Sequence, residues 1–321
     1  MKRINGKAVV MALALSMALM NGCASGSAAD SAPAVKNAVY DGSVSFLGPE
    51  GTYTQEACET FFGKSGDFSP YATVSDAVQA LVDGETKYAV IPQENTIGGA
   101  VIDYVDVLIN EDRVSVVGEV ELTINQNLLV LPGTKLDDIK TVYSHKQGIA
   151  QGKEWLAENL PDAEVIEASS TAEGAKMVAE SGDKSVAAIA SAGCTSVYGL
   201  EILAPNIQNN DKNKTRFYVL SCDEPEESAS DRLAFVASGN ASDLPLLMAA
   251  LEQEKMTLVS IHDRPMKTEL GQYRYVIECM DGSREKYDKI MKKNSNFEYR
   301  YLGSFPVKSR ISEPRKDHHQ Q

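Results

Sequence analysis

The chain alternates short β-rich runs with helical patterns from Val44 onward, and this alternation limits the folds open to it. "VSFLG" is followed by "TYTQEACETFFG", "YAVIPQ" by "AVIDYVDVLI", and "TVYSHK" by "AQGKEWLAENL". Such alternation predicts βαβ units and largely parallel sheets. In sheets of this kind ligands bind at the carboxyl ends of strands, where helices begin. Functional residues are therefore expected at the strand-to-helix turns.

The pattern changes at residues 221–231, "SCDEPEESASD", which are acidic and lack periodicity. Beyond them the predicted order is strand, helix, strand, strand, helix, strand. This βαββαβ order is the ferredoxin-like arrangement. A linker is therefore expected at residues 223–231, followed by a small regulatory or binding module at 232–308 and a frayed tail at 309–321.

The first residues have the features of an export signal. "MKRINGK" is basic, and the apolar run Val9–Met20 is short for a membrane-spanning helix. "NGC" then resembles the bacterial lipobox, although methionine stands where leucine is usual. The sequence predicts a signal peptide at residues 1–22, lipidation of Cys23, a tether at 23–42 and an exported, membrane-anchored location. An ordinary signal peptide with a chance cysteine is the alternative.

Composition excludes some partners. Hydrophobic residues make up 43% of the chain, enough for a packed core, and the formal net charge of −14 argues against nucleic acid. An anionic substrate would need local positive potential from helix N-termini and neutral donors. The remaining cysteines show no CxxC spacing and no metal pattern, so buried free thiols are expected, although export would permit disulfides. They are Cys58, Cys194, Cys222 and Cys279.

Four turns carry groups of hydrogen-bonding residues. "GPEGTYT" places Gly51 where backbone can approach a ligand and Thr52 where it can cap a helix. "PQENTIGGAV" supplies Glu94 and Asn95, "YSHKQG" supplies Ser144, His145 and Gln147, and "SSTAE" contains the capping box of Ser170 and Glu173. Each has a structural alternative, namely a capped turn, a paired core side chain or a structural histidine.

No phosphate-binding glycine loop, metal-ligand spacing or nucleophile elbow occurs in the sequence. What remains is a predicted cleft of neutral donors, which suits a carboxylate-bearing substrate and needs neither cofactor nor metal. "NNDKNKTRFYVLS" ends in an apolar run, so Thr215 and Arg216 are either the start of a strand or part of the site.

Together the segments resemble the prephenate dehydratase family. "VSFLGPEGTYTQEA", "YAVIPQENTIGGAV", "SHKQGIAQ", "STAEGAK", "AAIAS" and "YGLEILAPNIQNNDKNKTRF" follow one another in family order, and the resemblance continues to about Val307. It implies a two-lobed α/β catalytic domain at residues 43–222, similar to periplasmic binding proteins, and a ferredoxin-like ACT domain at 232–308. Lobe 1 is expected at about 43–121 and 205–222, and lobe 2 at about 122–204.

The resemblance implies a reaction in phenylalanine biosynthesis: prephenate loses its ring hydroxyl and a carboxylate, giving phenylpyruvate, CO2 and water. Hydroxide is a poor leaving group and needs a proton or strong hydrogen bonds as it departs. The family's "TRF" motif implies Thr215 at that hydroxyl, as one member of a donor network. The implied substrate-binding residues are Asn95, Gln147, Glu94, Ser144, His145, Thr52, Gly51, Arg216 and Phe217.

Two departures from the family pattern carry expectations. Lys146 replaces a usual proline and adds a charge near the expected dianionic substrate. The family's phenylalanine motifs correspond to Ser242-Asp243-Leu244 and His262-Asp263-Arg264-Pro265, where Asp243 adds bulk and charge at a normally small position. L-Phenylalanine is therefore expected to be a weak effector or none. The retained module is expected to support a homodimer, or a homotetramer of paired dimers.

Two other functions remain open from the sequence. A lipid-anchored two-lobed protein could be a solute-binding protein for an aromatic acid, although such proteins do not ordinarily carry an ACT domain. Arogenate differs from prephenate by an amino group, so arogenate dehydratase is the second alternative.

Overall fold

The computed structural model describes residues 40–225 and 230–310. The predicted signal peptide, the lipidation site Cys23 and nearly all of the predicted tether lie outside these residues, as do parts of the linker and tail. Between residues 40 and 310, no helix that the structure describes is both long and apolar enough to cross a membrane.

Lobe 1 begins with a βαβ unit and continues to a long strand that leads out of the lobe. Its first elements are β1 (Val44–Leu47), α1 (Tyr53–Phe62), β2 (Phe68–Tyr71), α2 (Val74–Val82), β3 (Tyr88–Asn95), β4 (Gly99–Ala100), α3 (Ile102–Asn110) and β5 (Ser115–Thr123). Along β3, Val90 packs on the α1 side of the sheet, while Ala89 and Ile91 pack on the α2 and α3 side. This two-sided burial explains the continuous apolar run in the sequence.

Lobe 2 is a five-stranded sheet with helices on both faces. Its elements are β6 (Asn127–Val130), β7 (Thr141–Ser144), α4 (Lys146–Asn159), β8 (Glu164–Glu167), α5 (Thr171–Ser181), β9 (Val186–Ala190), α6 (Gly193–Tyr198) and β10 (Glu201–Ala204). The strand order is β10-β6-β9-β7-β8. Strands β7, β8 and β9 run parallel, whereas β6 is antiparallel to both of its neighbours.

The chain then returns to lobe 1 through β11 (Lys214–Ser221), which lies between β3 and β5 and is antiparallel to both. The expectation of largely parallel sheets is therefore corrected, because the returning strand reverses direction relative to its neighbours. Two chain passages, before β6 and after β10, connect the lobes, as in two-lobed binding proteins.

The C-terminal module has the predicted βαββαβ order. It contains β12 (Arg232–Asn240), α7 (Leu244–Gln253), β13 (Thr257–Pro265), β14 (Gln272–Met280), α8 (Arg284–Lys293) and β15 (Glu298–Phe305). Its antiparallel sheet has the order β13-β14-β12-β15. One face packs against α7 and α8, and the other shares a buried apolar cluster with lobe 1. The predicted two-lobed α/β fold with an ACT-like module is confirmed.

The expected tail begins later than the sequence suggested. After β15, residues Val307–Arg310 form a further strand, β16, which pairs in parallel with β5 at the edge of the lobe 1 sheet. Lys308 anchors this strand, since its Nζ donates to the Phe61 carbonyl at 2.7 Å and lies 4.4 Å from the Phe61 ring centroid. The prediction of a frayed segment from residue 309 is thus wrong for residues 309 and 310.

Candidate active site

A cavity of about 270 Å³ lies between the two lobes. Both lobes and the returning strand β11 contribute to its wall. The lining residues are Leu47, Gly48, Thr52, Tyr53, Thr54, Pro92, Asn95, Ile124, Gln126, His145, Gln147, Gly148, Gln151, Ser169, Ser170, Thr171, Asn213, Thr215 and Phe217.

Three helices begin at this cavity. Each has a lining residue as its N-cap: Thr52 accepts from the Gln55 N–H of α1, His145 from the Gln147 N–H of α4, and Ser170 from the Glu173 N–H of α5. Helix N-termini carry partial positive charge and unpaired N–H groups, so their convergence favours an anion. None of the described lining residues is acidic, lysine or arginine. The positive potential of the cavity therefore comes from backbone and neutral donors.

Thr215 has a defined hydrogen-bonding state. Its Oγ1 lies 2.9 Å from Asn95 Nδ2, and Asn95 Oδ1 accepts from the backbone N–H groups of Ile97 and Gly98, both at 2.9 Å. Because these two N–H groups fix the orientation of the Asn95 amide, Asn95 must donate to Thr215. The hydroxyl of Thr215 then accepts from Asn95 and keeps its own proton for a partner in the cavity.

His145 has a defined tautomer for a similar reason. Its Nδ1 accepts the Gln147 N–H at 3.3 Å, which places the proton of the neutral ring on Nε2. Gln147 projects from the first turn of α4 toward lobe 1, since a Cβ added to Gly98 would lie 3.0 Å from its Nε2. Gln147 therefore presents its amide from lobe 2 to the side of the cleft that carries Asn95. His145 lines the same cavity.

The structure brings some predicted site residues to the cavity and places others elsewhere. Those that line it are Thr215, Asn95, Gln147, His145, Thr52 and Phe217. Those that do not are Glu94, Arg216, Ser144 and Gly51, and their placement in the cleft is corrected. Ser144 is fully buried below α4 and donates to the Ile189 carbonyl at 2.6 Å.

Glu94 and Arg216 lie on the opposite face of the sheet because successive side chains of a strand alternate. Arg216 forms a double hydrogen bond with Glu119, at 2.9 Å to each oxygen, and contacts Glu94 at 3.2 Å. It also binds Glu278 of the ACT-like module. Burial opposes the charge of Arg216, but the hydrogen bonds that it donates to Glu119 and the charge of Glu278 raise its pKa above its usual range. Arg216 therefore joins lobe 1 to the ACT-like module.

Gly51 lies at the contact between the lobes, beside the cavity. Its carbonyl accepts from Ser191 Oγ at 2.6 Å and from the Cys194 thiol at 3.2 Å, while Tyr198 donates to the Glu50 carbonyl at 2.9 Å. Burial raises the pKa of the Cys194 thiol to about 11, so it stays protonated and can donate. Three donors of lobe 2 thus hold the β1–α1 loop, and we call them the latch.

Three further sequence expectations concern Lys146, the cysteines and the two motifs of the ACT-like module. Lys146 is exposed and does not line the cavity, so its ammonium group adds no charge to the wall. Cys58, Cys194, Cys222 and Cys279 are free thiols, and Cys222 is exposed. In the ACT-like module, Ser242 and Asp243 end a short 3-10 helix and Leu244 begins α7. Residues His262–Pro265 end β13.

The second of these motifs contacts lobe 1. His262 Nδ1 is hydrogen-bonded to the Tyr104 hydroxyl, and burial lowers the pKa of His262. Arg264 forms an ion pair with Asp106, with Nη2 to Oδ2 at 3.0 Å. Both contacts are made by alternate residues of β13, as expected for side chains on one face of a strand. Half of the motif is therefore engaged in the interface with helix α3.

Sequence reasoning missed several lining residues, among them Gln126, Gln151 and Asn213. Asn213 could have been found, because it lies two positions before Thr215 and side chains two apart share a face in extended chain. Gln126 and Gln151 are brought together across the lobe, with Nε2 of Gln126 donating to Oε1 of Gln151 at 2.8 Å. No local pattern marks that contact.

Comparison with known proteins agrees with this geometry. The family model described as prephenate dehydratase matches residues 44–225. A bifunctional chorismate mutase/prephenate dehydratase of Neisseria gonorrhoeae is 35% identical over 237 residues, which cover 73% of this chain and 65% of that relative. The Bacillus subtilis prephenate dehydratase is 32% identical over 255 residues, covering 73% and 87%.

A solved structure has the same architecture. The prephenate dehydratase of Arthrobacter aurescens, in complex with L-Phe, superimposes with a TM-score of 0.73 at 26% identity, covering 82% of this chain and 90% of that one. The family match spans the β1–α1 loop, the β3 strand, the α4 N-terminus and β11, which together form the cavity wall. The chain belongs to the prephenate dehydratase family.

Proposed function

We infer that this protein converts prephenate to phenylpyruvate, CO2 and water in phenylalanine biosynthesis, as a carbon-oxygen lyase. The observation that carries the inference is the pairing of Thr215 with Asn95, which leaves a hydroxyl proton directed to a cavity at three helix N-termini. Such a cavity suits a dicarboxylate, because the helix termini favour anions. The family match supports the same reaction.

The reaction breaks two bonds of the substrate. The electrons of the ring–carboxylate bond move into the ring as CO2 leaves, and the ring C–O bond breaks with its electron pair on oxygen. That oxygen takes up one proton, from the solvent that reaches the cleft, and leaves as water. Aromatisation supplies the driving force, so the protein's task is to stabilise the departing oxygen and hold the carboxylates. The Thr215 hydroxyl is positioned to donate to that oxygen.

Prephenate fits the cavity better than arogenate does. Arogenate carries an ammonium group, which a binding site ordinarily pairs with a carboxylate. The described lining residues include no aspartate or glutamate. The neighbouring carboxylate of Glu94 is turned away and paired with Arg216 at 3.2 Å.

The function is tested by measuring phenylpyruvate formation from prephenate with the purified protein, at neutral or higher pH because prephenate aromatises unaided in acid. Thr215→Ala should lower kcat by about 10²–10³-fold, the usual cost of removing one donor to a developing anion. Thr215→Ser keeps the hydroxyl and should retain most of the activity. A folded wild-type protein that binds prephenate without turnover would instead support the solute-binding alternative.

L-Phenylalanine is proposed as a weak effector of the ACT-like module. The complex of the Arthrobacter relative with L-Phe supports this class of ligand. In this chain Asp243 places a carboxylate in the first motif, and Arg264 of the second is paired with Asp106 of lobe 1. We therefore expect a dissociation constant for phenylalanine above about 1 mM. Phenylalanine at about 1 mM would then occupy less than half of the sites and change activity by less than about twofold. Strong inhibition at micromolar concentrations would contradict the proposal.

An exported, lipid-anchored location is proposed from the first residues alone. The basic start, the apolar run and the small residue before Cys23 support it. Cells that express the chain should incorporate a labelled lipid precursor into the protein, and Cys23→Ala should abolish the label. Equal labelling of both forms would rule out Cys23 as the lipidated residue, and no label in either form would rule out the anchor.

A further inference from the structure

The apolar part of the cavity wall lies on the lobe 1 side. Leu47, Tyr53 and Pro92 belong to this lobe, and Phe217 lies on the strand β11 that returns to it. Lobe 2 contributes α4 and the start of α5, whose described lining residues are glycine or have hydroxyl, amide or imidazole side chains. Thr215, whose hydroxyl meets the ring oxygen in the proposed reaction, is on the lobe 1 side as well. The ring of the substrate therefore belongs against lobe 1.

Tyr53 forms a bridge across this apolar side. It is the first residue of α1, next to the N-cap Thr52, and its hydroxyl donates to the Asn125 carbonyl at 2.6 Å, in the passage from lobe 1 to lobe 2. Thr52 lines the cavity at one end of this side chain. At the other end the two neighbours of Asn125, Ile124 and Gln126, line it as well. The ring between these two points therefore forms part of the wall.

The ring of Tyr53 has surface to offer a ligand, and its hydroxyl does not. Tyr53 is only partly buried, whereas Phe217, the other carbocyclic aromatic residue among the described lining residues, is 2% exposed. Burial raises the pKa of the Tyr53 hydroxyl well above its usual range, so the group stays protonated. Its one proton is bound by the Asn125 carbonyl. Tyr53 can therefore contribute an aromatic face, but no proton, to the reaction.

We propose that the ring of Tyr53 is the surface on which the six-membered ring of prephenate stacks, and that the same face binds the phenyl ring of the product. This inference rests on the proposed dehydratase function. Aromatic rings attract one another in offset-stacked or edge-to-face arrangements. Because the substrate ring becomes aromatic as CO2 and the hydroxyl leave, the contact strengthens along the reaction. Tyr53 thus selects an aromatic ring over a saturated ring of the same size.

Phenylpyruvate and cyclohexylpyruvate test the aromatic contact, because they carry the same keto acid and differ in the aromaticity of the ring. Calorimetry gives their dissociation constants for the wild type and for Tyr53→Leu, which keeps an apolar side chain without an aromatic face. We expect the preference of the wild type for phenylpyruvate to fall by about threefold to tenfold in Tyr53→Leu. General damage to the cavity would weaken both ligands equally and leave this ratio unchanged, and that result would overturn the proposal.

Two further variants separate the ring from the hydroxyl and from the rest of lobe 1. Tyr53→Phe keeps the ring and loses the bond to Asn125, so the preference should stay within about twofold of wild type. Tyr71→Leu is the matched control, since Tyr71 is a partly buried tyrosine of lobe 1 that is bonded to Glu85 at 3.1 Å and does not line the cavity. It should also keep the preference. A loss in Tyr53→Phe as large as in Tyr53→Leu would show that the hydroxyl matters instead of the ring, and would overturn the proposal.

Nuclear magnetic resonance measures the contact directly. With phenylpyruvate bound to protein that is isotope-labelled in its tyrosine rings, a nuclear Overhauser effect should connect the phenyl protons of the ligand to a tyrosine ring. The effect should vanish in Tyr53→Phe. Thermal unfolding shows which variants are folded, and this measurement decides if Tyr53→Leu is not. An effect that is absent from the wild type, or that persists in Tyr53→Phe, would overturn the proposal.

Binding of the product separates this proposal from the proposed function, because phenylpyruvate can bind to a protein that does not turn over prephenate. A wild type that binds phenylpyruvate with the expected preference but never converts prephenate would disprove the dehydratase function, and the Tyr53 contact would still be shown. A wild type that converts prephenate, with the same preference in Tyr53→Leu, would support the function and overturn the contact. No binding of phenylpyruvate to the wild type would also overturn the Tyr53 proposal.

Discussion

Thr215 and Asn95 form a directional pair because each hydrogen bond of the Asn95 amide has one possible direction. Two backbone N–H groups of the turn after β3 hold the Asn95 oxygen, and its nitrogen faces Thr215 at 2.9 Å. A threonine hydroxyl is a weak acid, so its contribution depends on where its proton points. That direction is determined by Asn95.

Asn95→Asp should therefore remove activity without removing the turn. One carboxylate oxygen can still accept from the Ile97 and Gly98 N–H groups, while the other faces Thr215 and becomes the acceptor of its proton. We expect kcat to fall by about 10²–10³-fold, as when an oxyanion donor is lost. The measurement is the initial rate of phenylpyruvate formation, together with thermal unfolding. A kcat within about threefold of wild type would show that the direction of the Thr215 hydroxyl does not matter.

Part of this site follows from sequence and part does not. The motif order indicated Thr215, Asn95, Gln147 and His145, and the cavity contains all four. The face occupied by Arg216 follows from strand alternation once Thr215 is assigned to the cleft. In contrast, the contact of Gln126 with Gln151 depends on how the chain enters lobe 2, which local patterns do not determine. The strand β16 is equally nonlocal, since its pairing with β5 needs the folded module to bring it there.

At the scale of elements, the latch joins the start of α1 to β9 and α6 across the cleft. Gly51 has φ +80°, and a Cβ there would lie 2.9 Å from Cys194 Sγ and 3.2 Å from Cys194 Cα. The close approach of the two lobes therefore requires glycine at position 51. Because Thr52 of the same loop caps α1 and lines the cavity, the latch also sets where that helix N-terminus points.

Gly51→Ala should separate the lobes and weaken substrate binding. Gly63, at the other end of α1, is the matched control, since it has φ +92° and a Cβ there meets nothing within 4 Å. Both variants carry the backbone cost of an alanine at positive φ, about 1–3 kcal/mol of unfolding free energy. Only Gly51→Ala should also raise KM for prephenate, by about tenfold, a change equivalent to one lost hydrogen bond. Equal KM values in the two variants would show that the latch does not shape the cavity.

At the scale of the whole molecule, a buried charged cluster joins lobe 1 to the ACT-like module. Glu278 of β14 accepts from Arg216, from Arg232 Nε at 3.1 Å and from Gln93 Nε2 at 2.9 Å. Tyr218 also donates to it. Since Arg216 follows Thr215 directly on β11, a displacement of β14 would also displace the strand that carries the Thr215 hydroxyl. The cluster is thus a physical link between the module and the active site.

The same cluster makes stability depend on pH. The side chains of Glu119 and Glu278 are fully buried and pair with two arginines, Arg216 and Arg232. Glu94 adds a further carboxylate to the cluster. Burial, and then the charge of Glu278, raise the pKa of Glu119 to about 7, against the opposing effect of its hydrogen bonds with Arg216. The folded protein therefore holds a proton near pH 6 that the unfolded chain has released. Stability from this group is present at low pH and is lost as the pH rises through 7.

Glu119→Gln tests this assignment because glutamine mimics the protonated acid at every pH. Between pH 6 and pH 8 the wild-type free energy of unfolding should fall by roughly 1 kcal/mol more than that of the variant. The comparison of two otherwise identical chains cancels the opposite contribution of His262, whose lowered pKa costs stability as the pH falls. Urea unfolding at several pH values measures the difference. Parallel curves would mean that Glu119 is ionised throughout, and the link to the module would then be an ion pair at every pH in this range.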